Sequence, residues 1–366
     1  MSPFVSSADV ILLYERLLAR RPSEDEVAGQ IASGVDWRGL LQVIVDSDEY
    51  AAKRGMTRTA PPQPLVNIHT PELAPHGHQP GAVSADGVAE VGLDGQLFIV
   101  GGSNSVLDQV LGTAEIPEGW EAGWSAVAEE RRAQAASLGL AVATIVVPDK
   151  LSIVPQLFSQ PIPAEVDTPV KRVRRLWPEL LYPVDAMGAL GTRGVLATDS
   201  HLTVDGNRAI ARVLGEALGV DLGGNRELDR TDRVLSGDLG SKFDPPIVEI
   251  SDLVAGWGTA ELTFDNSREV FATGRHVGTR LRFVNREAPD QRTAVLFGDS
   301  YGFAGPAYQG LAWFIAQGFA ESYFYWVPFG WDTSLIEELG ASVVISEGAE
   351  RFVLRPPQNT IDDEAR

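Results

Sequence analysis

The sequence contains no cysteine, which excludes disulfides, thiolate metal ligands and a thiol nucleophile while leaving the redox compartment open. Histidine is scarce as well, at five in 366 residues, so chemistry that needs an imidazole has few candidates. Cationic side chains are outnumbered. Thirty Lys and Arg face 50 Asp and Glu, a formal net charge of -20 with a pI near 4.6. Binding to nucleic acid or to anionic lipid relies on basic patches, so this balance argues against both. The one basic cluster, KRVRRLW at 171–177, reads as a solvated helix face. No stretch approaches the roughly 20 apolar residues that a membrane span needs. The opening MSPFVSSADVILLYERLL lacks the basic n-region and cleavage site of a signal peptide, so a cytoplasmic location is the expectation.

What is present is enough apolar material, 44% of residues, for a sizeable core and two domains. Residues 8–54 read as helices. Val10, Leu13, Tyr14, Leu17 and Leu18 recur at helical spacing, Ser23 with Glu26 forms a capping box, and Leu40, Leu41, Ile44 and Val45 share one face. The first 57 residues therefore form a small all-α module. Residues 58–92 are rich in Pro, Gly and His and read as a linker with few crossing contacts, so the module is expected to be dispensable for folding of the rest. His69, His76 and His78 lie in that linker without carboxylates at ligand spacing, and they read as solvated residues, not metal ligands.

From Leu93 to the end, apolar runs alternate with helical stretches: QLFIV, LAVATIVV, RGVLATD, TAVLFGD, SYFYWV and ASVVIS. Such a pattern predicts an α/β domain over 93–366, with a mostly parallel sheet covered by helices on both faces. Residues 246–285 depart from it. PIVEI, AELTFD, REVFATG and RLRFVN follow closely on one another, which predicts a β-rich insertion.

In TAVLFGDSYG at 293–302, an apolar strand ends on Gly298-Asp299-Ser300, at the carboxyl end where open α/β sheets hold ligands. Two readings stand side by side. Ser300 is a nucleophile with a backbone amide for an oxyanion, or Asp299 and Ser300 simply cap the following helix. A serine nucleophile needs a base oriented by a carboxylate. With three histidines in the linker, His201 and His276 remain. His201 sits in ATDSHLTVDGNRAIARVL, where a strand-like run meets a loop and a helix, with Asp199 two residues before it and able to reach its ring. His276, in ATGRHVGTR, has no neighbouring carboxylate and reads as a surface or substrate contact.

Gly-Asp-Ser after a strand, together with DSHLTVDGNRAIARVL, resembles the SGNH (GDSL-type) hydrolase superfamily, whose last block runs Asp-x-x-His-Leu-Thr-x-x-Gly before a helix. This chain departs from it in separating acid and base by one residue and placing both ahead of the serine. Both departures match the branch that includes the alginate O-acetyltransferase proteins. The resemblance spans roughly 93–355 and takes in GLDGQLFIVGGSN, VPDKLSIVP, the FVN before the nucleophile strand and LIEELGASVVISEGAERFV. LYERLLARRPSEDE and SGVDWRGLLQVIVDSDEY further resemble a short helical module that accompanies bacterial glycan-processing enzymes.

The resemblance implies a flavodoxin-like SGNH fold, with Ser300 as nucleophile, His201 as general base and Asp199 as its orienting acid. Leu202 stands where the family more often has an aromatic residue. Asn104 is similar to the superfamily's oxyanion asparagine, though a Gly-rich turn accounts for it equally. Arg275, Tyr301 and Tyr308 are candidates for an acceptor groove, and Lys150 matches a recurrent motif without a role that its spacing forces. The expected activity is O-acyl transfer, most simply of acetyl, to a saccharide hydroxyl, with no cofactor beyond an acyl donor and no metal. An acetylesterase with the same triad, or a glycan-binding module in a biosynthetic complex, are the alternatives. The expected partners are a saccharide acceptor, an acyl donor and glycan-biosynthesis proteins met through the helical module.

Overall fold

The computed structural model describes residues 5–33, 40–41, 43–44, 47–53, 66–67, 78–222, 227–254, 256–305 and 308–361. Thirteen strands are described: β1 (Val66–Asn67), β2 (Ala89–Val91), β3 (Leu97–Ile99), β4 (Ala141–Val147), β5 (Arg230–Leu235), β6 (Ile247–Val254), β7 (Glu261–Asp265), β8 (Arg280–Val284), β9 (Asp290–Gly298), β10 (Ala304–Gly305), β11 (Tyr308–Gln309), β12 (Phe319–Trp326) and β13 (Val343–Ala349). Six of them form the main sheet in the order β4-β13-β9-β12-β8-β7. Its first four strands are parallel, and β8 and β7 extend it as an antiparallel edge. This is the expected α/β architecture, and the closely spaced strands of 246–285 divide. β7 and β8 join the main sheet, β6 belongs to a second sheet, and REVFATG, expected within a β-rich insertion, instead forms the helix Ser267–Ala272.

The two faces follow from the period of two along a strand. Ala294 and Leu296 of β9 and Val343 and Ile345 of β13 share one core with Ile210, Ala211 and Leu214 of the helix Val204–Leu218 and with Phe314 and Ile315 of the helix Leu311–Gly318. Val295, Phe297 and Val344 point to the opposite face, against Leu335 and Ile336 of the helix Thr333–Glu338. Both faces of β9 and β13 are therefore dry, which is why these strands read as unbroken apolar runs.

RGVLATD does not form a sheet strand. Residues 191–194 make a short 3₁₀ turn, Val195 bridges only to Leu202, and an irregular loop lies between them. The physical reason is a competing acceptor. The Glu249 carboxylate takes the Ala197 and Thr198 amides that a ladder would otherwise use.

The segment expected to be a linker is built into the molecule from residue 78 onward. β2 and β3 form a hairpin, and Ala89, Val91 and Leu97 pack with Leu239, Phe243 and Ile247. His78 is buried edge-on against Phe243, with Nε2 3.1 Å from the Pro245 carbonyl, so it is not a solvated residue. His69, His76 and Val45 lie outside the described residues.

Helix Ser7–Leu18 opens on a capping box in which the Ser6 and Asp9 side chains each accept the other's backbone amide, and Ser23 with Glu26 repeats the device at Glu24–Ala32. The apolar face of the first helix is not self-contained. Val10, Leu13 and Leu17, with Leu40, Ile44 and Tyr50, share a core with Val234 of β5 and Val248 of β6. Leu12 packs with Leu196 and Leu235. The helical module thus packs on β5 and β6 of the second sheet, β1-β6-β5, and reaches the loop that carries His201 at Leu196.

Deleting residues 1–57 uncovers Val234, Val248, Leu196 and Leu235, each at most 4% exposed. At about 1.5–3 kcal/mol for each large apolar side chain fully returned to water, the truncated protein should lose up to roughly 6–12 kcal/mol of stability. Thermal unfolding checks this, and an unchanged midpoint would show that the module folds apart from the rest.

Candidate active site

β9 delivers its turn to the carboxyl edge of the parallel strands. There Asp299 is buried, its carboxylate accepting the Tyr301 amide at 2.8 Å and the Ala349 amide at 2.7 Å, while its own amide donates to Glu347 Oε2 at 3.0 Å. The turn is thereby locked to the end of β13. Gly298 is needed because a Cβ there would collide with the Glu347 carboxylate oxygen. Burial and the neighbouring Asp299 charge push the Glu347 carboxyl well above the usual carboxylate range, so it sits neutral under the turn.

The second part of the site is the loop 196–203. Asp199 Oδ1 accepts from the His201 backbone amide at 3.0 Å and lies 2.6 Å from His201 Nδ1, while Oδ2 accepts from the Asp238 amide at 3.1 Å. With Nδ1 held by the carboxylate, Nε2 is the nitrogen suited to accept a proton. Burial works against protonation of this imidazole. The charge and hydrogen bond of Asp199 outweigh it, so the pKa rises above its ordinary 6.5.

Four side chains from other elements hold the loop. Glu249 of β6 accepts from the Ala197 amide, the Thr198 amide and the Thr198 hydroxyl at 3.0, 2.7 and 2.8 Å. Asp238 accepts from the amide and hydroxyl of Ser200 at 2.7 and 2.5 Å. Lys150, for which spacing suggested no role, donates to the Leu97 and Ala197 carbonyls at 2.9 and 3.2 Å, with burial lowering its pKa to about 8. Tyr301 donates to the Ser200 carbonyl at 2.7 Å.

Tyr301 joins the two parts. It follows Ser300 directly, is fully buried, and its ring lies 5.2 Å from that of His201. Arg351 covers its other side, donating to its hydroxyl at 3.3 Å and to Asp149 Oδ1 at 2.5 Å. Tyr301 therefore supports the site from below instead of facing an acceptor groove. The Ser300 hydroxyl and His201 Nε2 are not hydrogen-bonded to each other in this structure.

Asn104 is half-buried in the turn before the helix Val106–Leu111. Gln109 Nε2 donates to its carbonyl at 2.7 Å and to that of Arg351 at 3.0 Å, tying this turn to the chain just after β13. Arg275 and His276 are exposed after the helix Ser267–Ala272. The Tyr308 side chain lies outside the described residues. Asp199, His201 and Asp238 come close enough to share a cation. Each carboxylate oxygen among them already accepts a hydrogen bond, three from the loop and one from the Asp238 amide, so this donor set suits orienting the imidazole better than ligating a metal.

Asp238, Glu249, Glu347 and Arg351 were not picked out from sequence. A signal existed for two of them. Glu249 in PIVEI and Glu347 in VVISEGA are acids inside otherwise apolar strands, which calls for buried partners.

No protein-family model matches the chain, and no curated protein does. Among solved structures, a DHHW family protein from Eubacterium siraeum is 16% identical, with 76% of this chain and 96% of that one covered and a TM-score of 0.48. PatB1 from Bacillus cereus is 11% identical, with 75% and 97% covered and a TM-score of 0.45. The O-acetyltransferase domain of AlgJ from Pseudomonas putida is 16% identical, with 75% and 96% covered and a TM-score of 0.43.

Glu249→Ala strands two buried amides and a hydroxyl. At about 1–3 kcal/mol for each unsatisfied buried group, and allowing for entry of water, the variant should be destabilised by about 3 kcal/mol. Urea unfolding measures this, with Glu249→Gln expected to recover part of the loss. A change below about 0.5 kcal/mol would mean that the loop does not depend on this carboxylate.

Proposed function

We propose that this chain is a serine-dependent O-acyltransferase that moves an acyl group, in the simplest case acetyl, onto a saccharide hydroxyl through an acyl-enzyme on Ser300. The observation that carries the reading is the Asp199–His201 hydrogen bond, set at the carboxyl edge of the sheet against the residue that follows Ser300. The resemblance of Gly298-Asp299-Ser300 and Asp199-x-His201-Leu202-Thr203 to the SGNH hydrolases supports the same assignment.

In this mechanism the Ser300 side chain turns toward Nε2 once a donor is bound, since catalytic hydrogen bonds often tighten only in the substrate complex. His201 takes the Oγ proton as Oγ adds to the acyl carbonyl, and Asp199 stabilises the imidazolium. The Ser300 amide, with Asn104 as a second donor, faces the charge on the tetrahedral oxygen. Collapse expels the donor's alcohol or thiol, which receives the proton from His201 and leaves an ester on Ser300. A saccharide hydroxyl then repeats the sequence in reverse. It gives its proton to His201 and takes the acyl group, whereas water in its place gives hydrolysis.

Ser300→Ala should abolish acyl release from an aryl acetate. Asp199→Asn should still fold cooperatively, with a lowered melting midpoint, and lower turnover by as much as about 10⁴-fold, the loss seen when the imidazole tautomer is no longer set. Because the working base is neutral and its pKa is raised, activity should fall as pH drops through a value above 6.5. In Asp199→Asn that acid limb should move to lower pH. Full activity in Asp199→Asn, or an acid limb that stays in place, would remove Asp199 from the mechanism.

A further inference from the structure

Beside the candidate site stands a group of aromatic rings that the mechanism above does not use. Trp326 ends β12 directly opposite Gly298, one strand from the turn that carries Ser300. The His276 ring stacks on it, with centroids 4.9 Å apart and planes 17° from parallel. Phe271 meets His276 and Trp326 edge-on at 5.2 and 5.9 Å, and Phe303, three residues after Ser300, lies 5.5 Å from both Phe271 and Trp326.

These rings are not sealed into a core. Phe271, Phe303 and Trp326 are half-buried, while His276 and its neighbours Arg275 and Val277 are exposed. The loop that presents His276 is nonetheless fixed. Trp326 donates its amide to the Thr279 carbonyl at 2.9 Å, and Asn266 donates to the Gly278 carbonyl at 2.9 Å while accepting the Arg280 amide at 2.7 Å. Partial burial lowers the His276 pKa, so near neutral pH this is an uncharged flat ring with polar edges, held on a rigid support.

Flat rings with polar edges at the mouth of a reaction centre match one ligand chemistry closely. A pyranose presents a face of C–H groups that packs on an aromatic ring by dispersion, and a rim of hydroxyls that seek donors such as Arg275 and the imidazole edge. A nucleotide would bring phosphates toward a chain of net charge -20, and a bare acyl chain would leave the polar rim unused.

We propose that His276 and Trp326, backed by Phe271 and Phe303 and rimmed by Arg275, form the platform that binds a sugar ring of the acceptor next to Ser300. The identity of the ligand as an acceptor rests on the acyl-transfer reading. Its binding does not.

The two are separated by measuring binding without turnover. The full-length Ser300→Ala protein is titrated with uncharged tetrasaccharides (cellotetraose, mannotetraose and chitotetraose) by ligand-observed NMR. At least one should bind, and adding His276→Ala, an exposed change that the fold should tolerate, should weaken its Kd at least tenfold. Trp326→Ala should do the same and Trp326→Phe should restore part of the affinity, with thermal unfolding reported for each variant. Failure of all three saccharides to bind, or equal affinity in the His276→Ala background, overturns the platform. Protein with Ser300 intact is then given p-nitrophenyl acetate and the saccharide that binds. The ratio of acetyl-saccharide formed to phenol released should fall at least tenfold in His276→Ala. Saccharide binding without any Ser300-dependent phenol release would overturn the acyl-transfer reading and leave the platform standing.

Discussion

The Glu249 carboxylate accepts three hydrogen bonds from a loop that belongs to no sheet, and the placement of His201 depends on it. An irregular segment in the interior must still satisfy every amide and carbonyl. Here the partners are side chains. Glu249 and Asp238 take the donors of residues 197, 198 and 200, and Lys150 and Tyr301 supply donors to the Ala197 and Ser200 carbonyls. Since β6 carries Glu249 and also packs through Val248 against the N-terminal helix, the geometry of the base is linked through one strand to the helical module.

That solution gathers charge in a dry place. Among the described residues, Asp149, Asp199, Asp238, Glu249, Asp299, Glu347 and Glu350 share the basic side chains Lys150, His201 and Arg351. The excess negative charge is relieved by protonation and by backbone donors. Glu347 is driven neutral by burial, and Glu350 is pushed up to about 7 by burial and the charge of Asp149. Removing one member of such a set leaves its partner charged and unpaired, which costs more than the pair contributes. Arg351 illustrates this, since it faces both Asp149 and the Tyr301 hydroxyl, and Tyr301 in turn touches the imidazole.

The α/β architecture was legible in sequence because the cores of β4, β9 and β13 are covered on both faces, and a strand segment buried on both sides is an apolar run whatever its neighbours are. The capping boxes at Ser6 and Ser23 are equally local, needing only residues three apart. RGVLATD has the composition of such a strand and is not one. Its outcome turned on Glu249, some 50 residues later in the chain, which no local pattern reveals. The linker reading failed from residue 78 onward for a related reason, as Pro and Gly mark turns but do not say whether the turn is packed against something.

The sequence by itself determined the α/β class, the strand end that carries Ser300, and the spacing that lets Asp199 bind the ring of His201, because each rests on residues adjacent or nearly adjacent in the chain. The tertiary structure alone decided that Tyr301 is a buried support, that Lys150 clamps two carbonyls, and that His276 stacks on Trp326 one strand from Ser300. Those contacts join segments tens to more than a hundred residues apart, and a side chain shows in the sequence what it can bond but not which distant backbone the fold will bring to it.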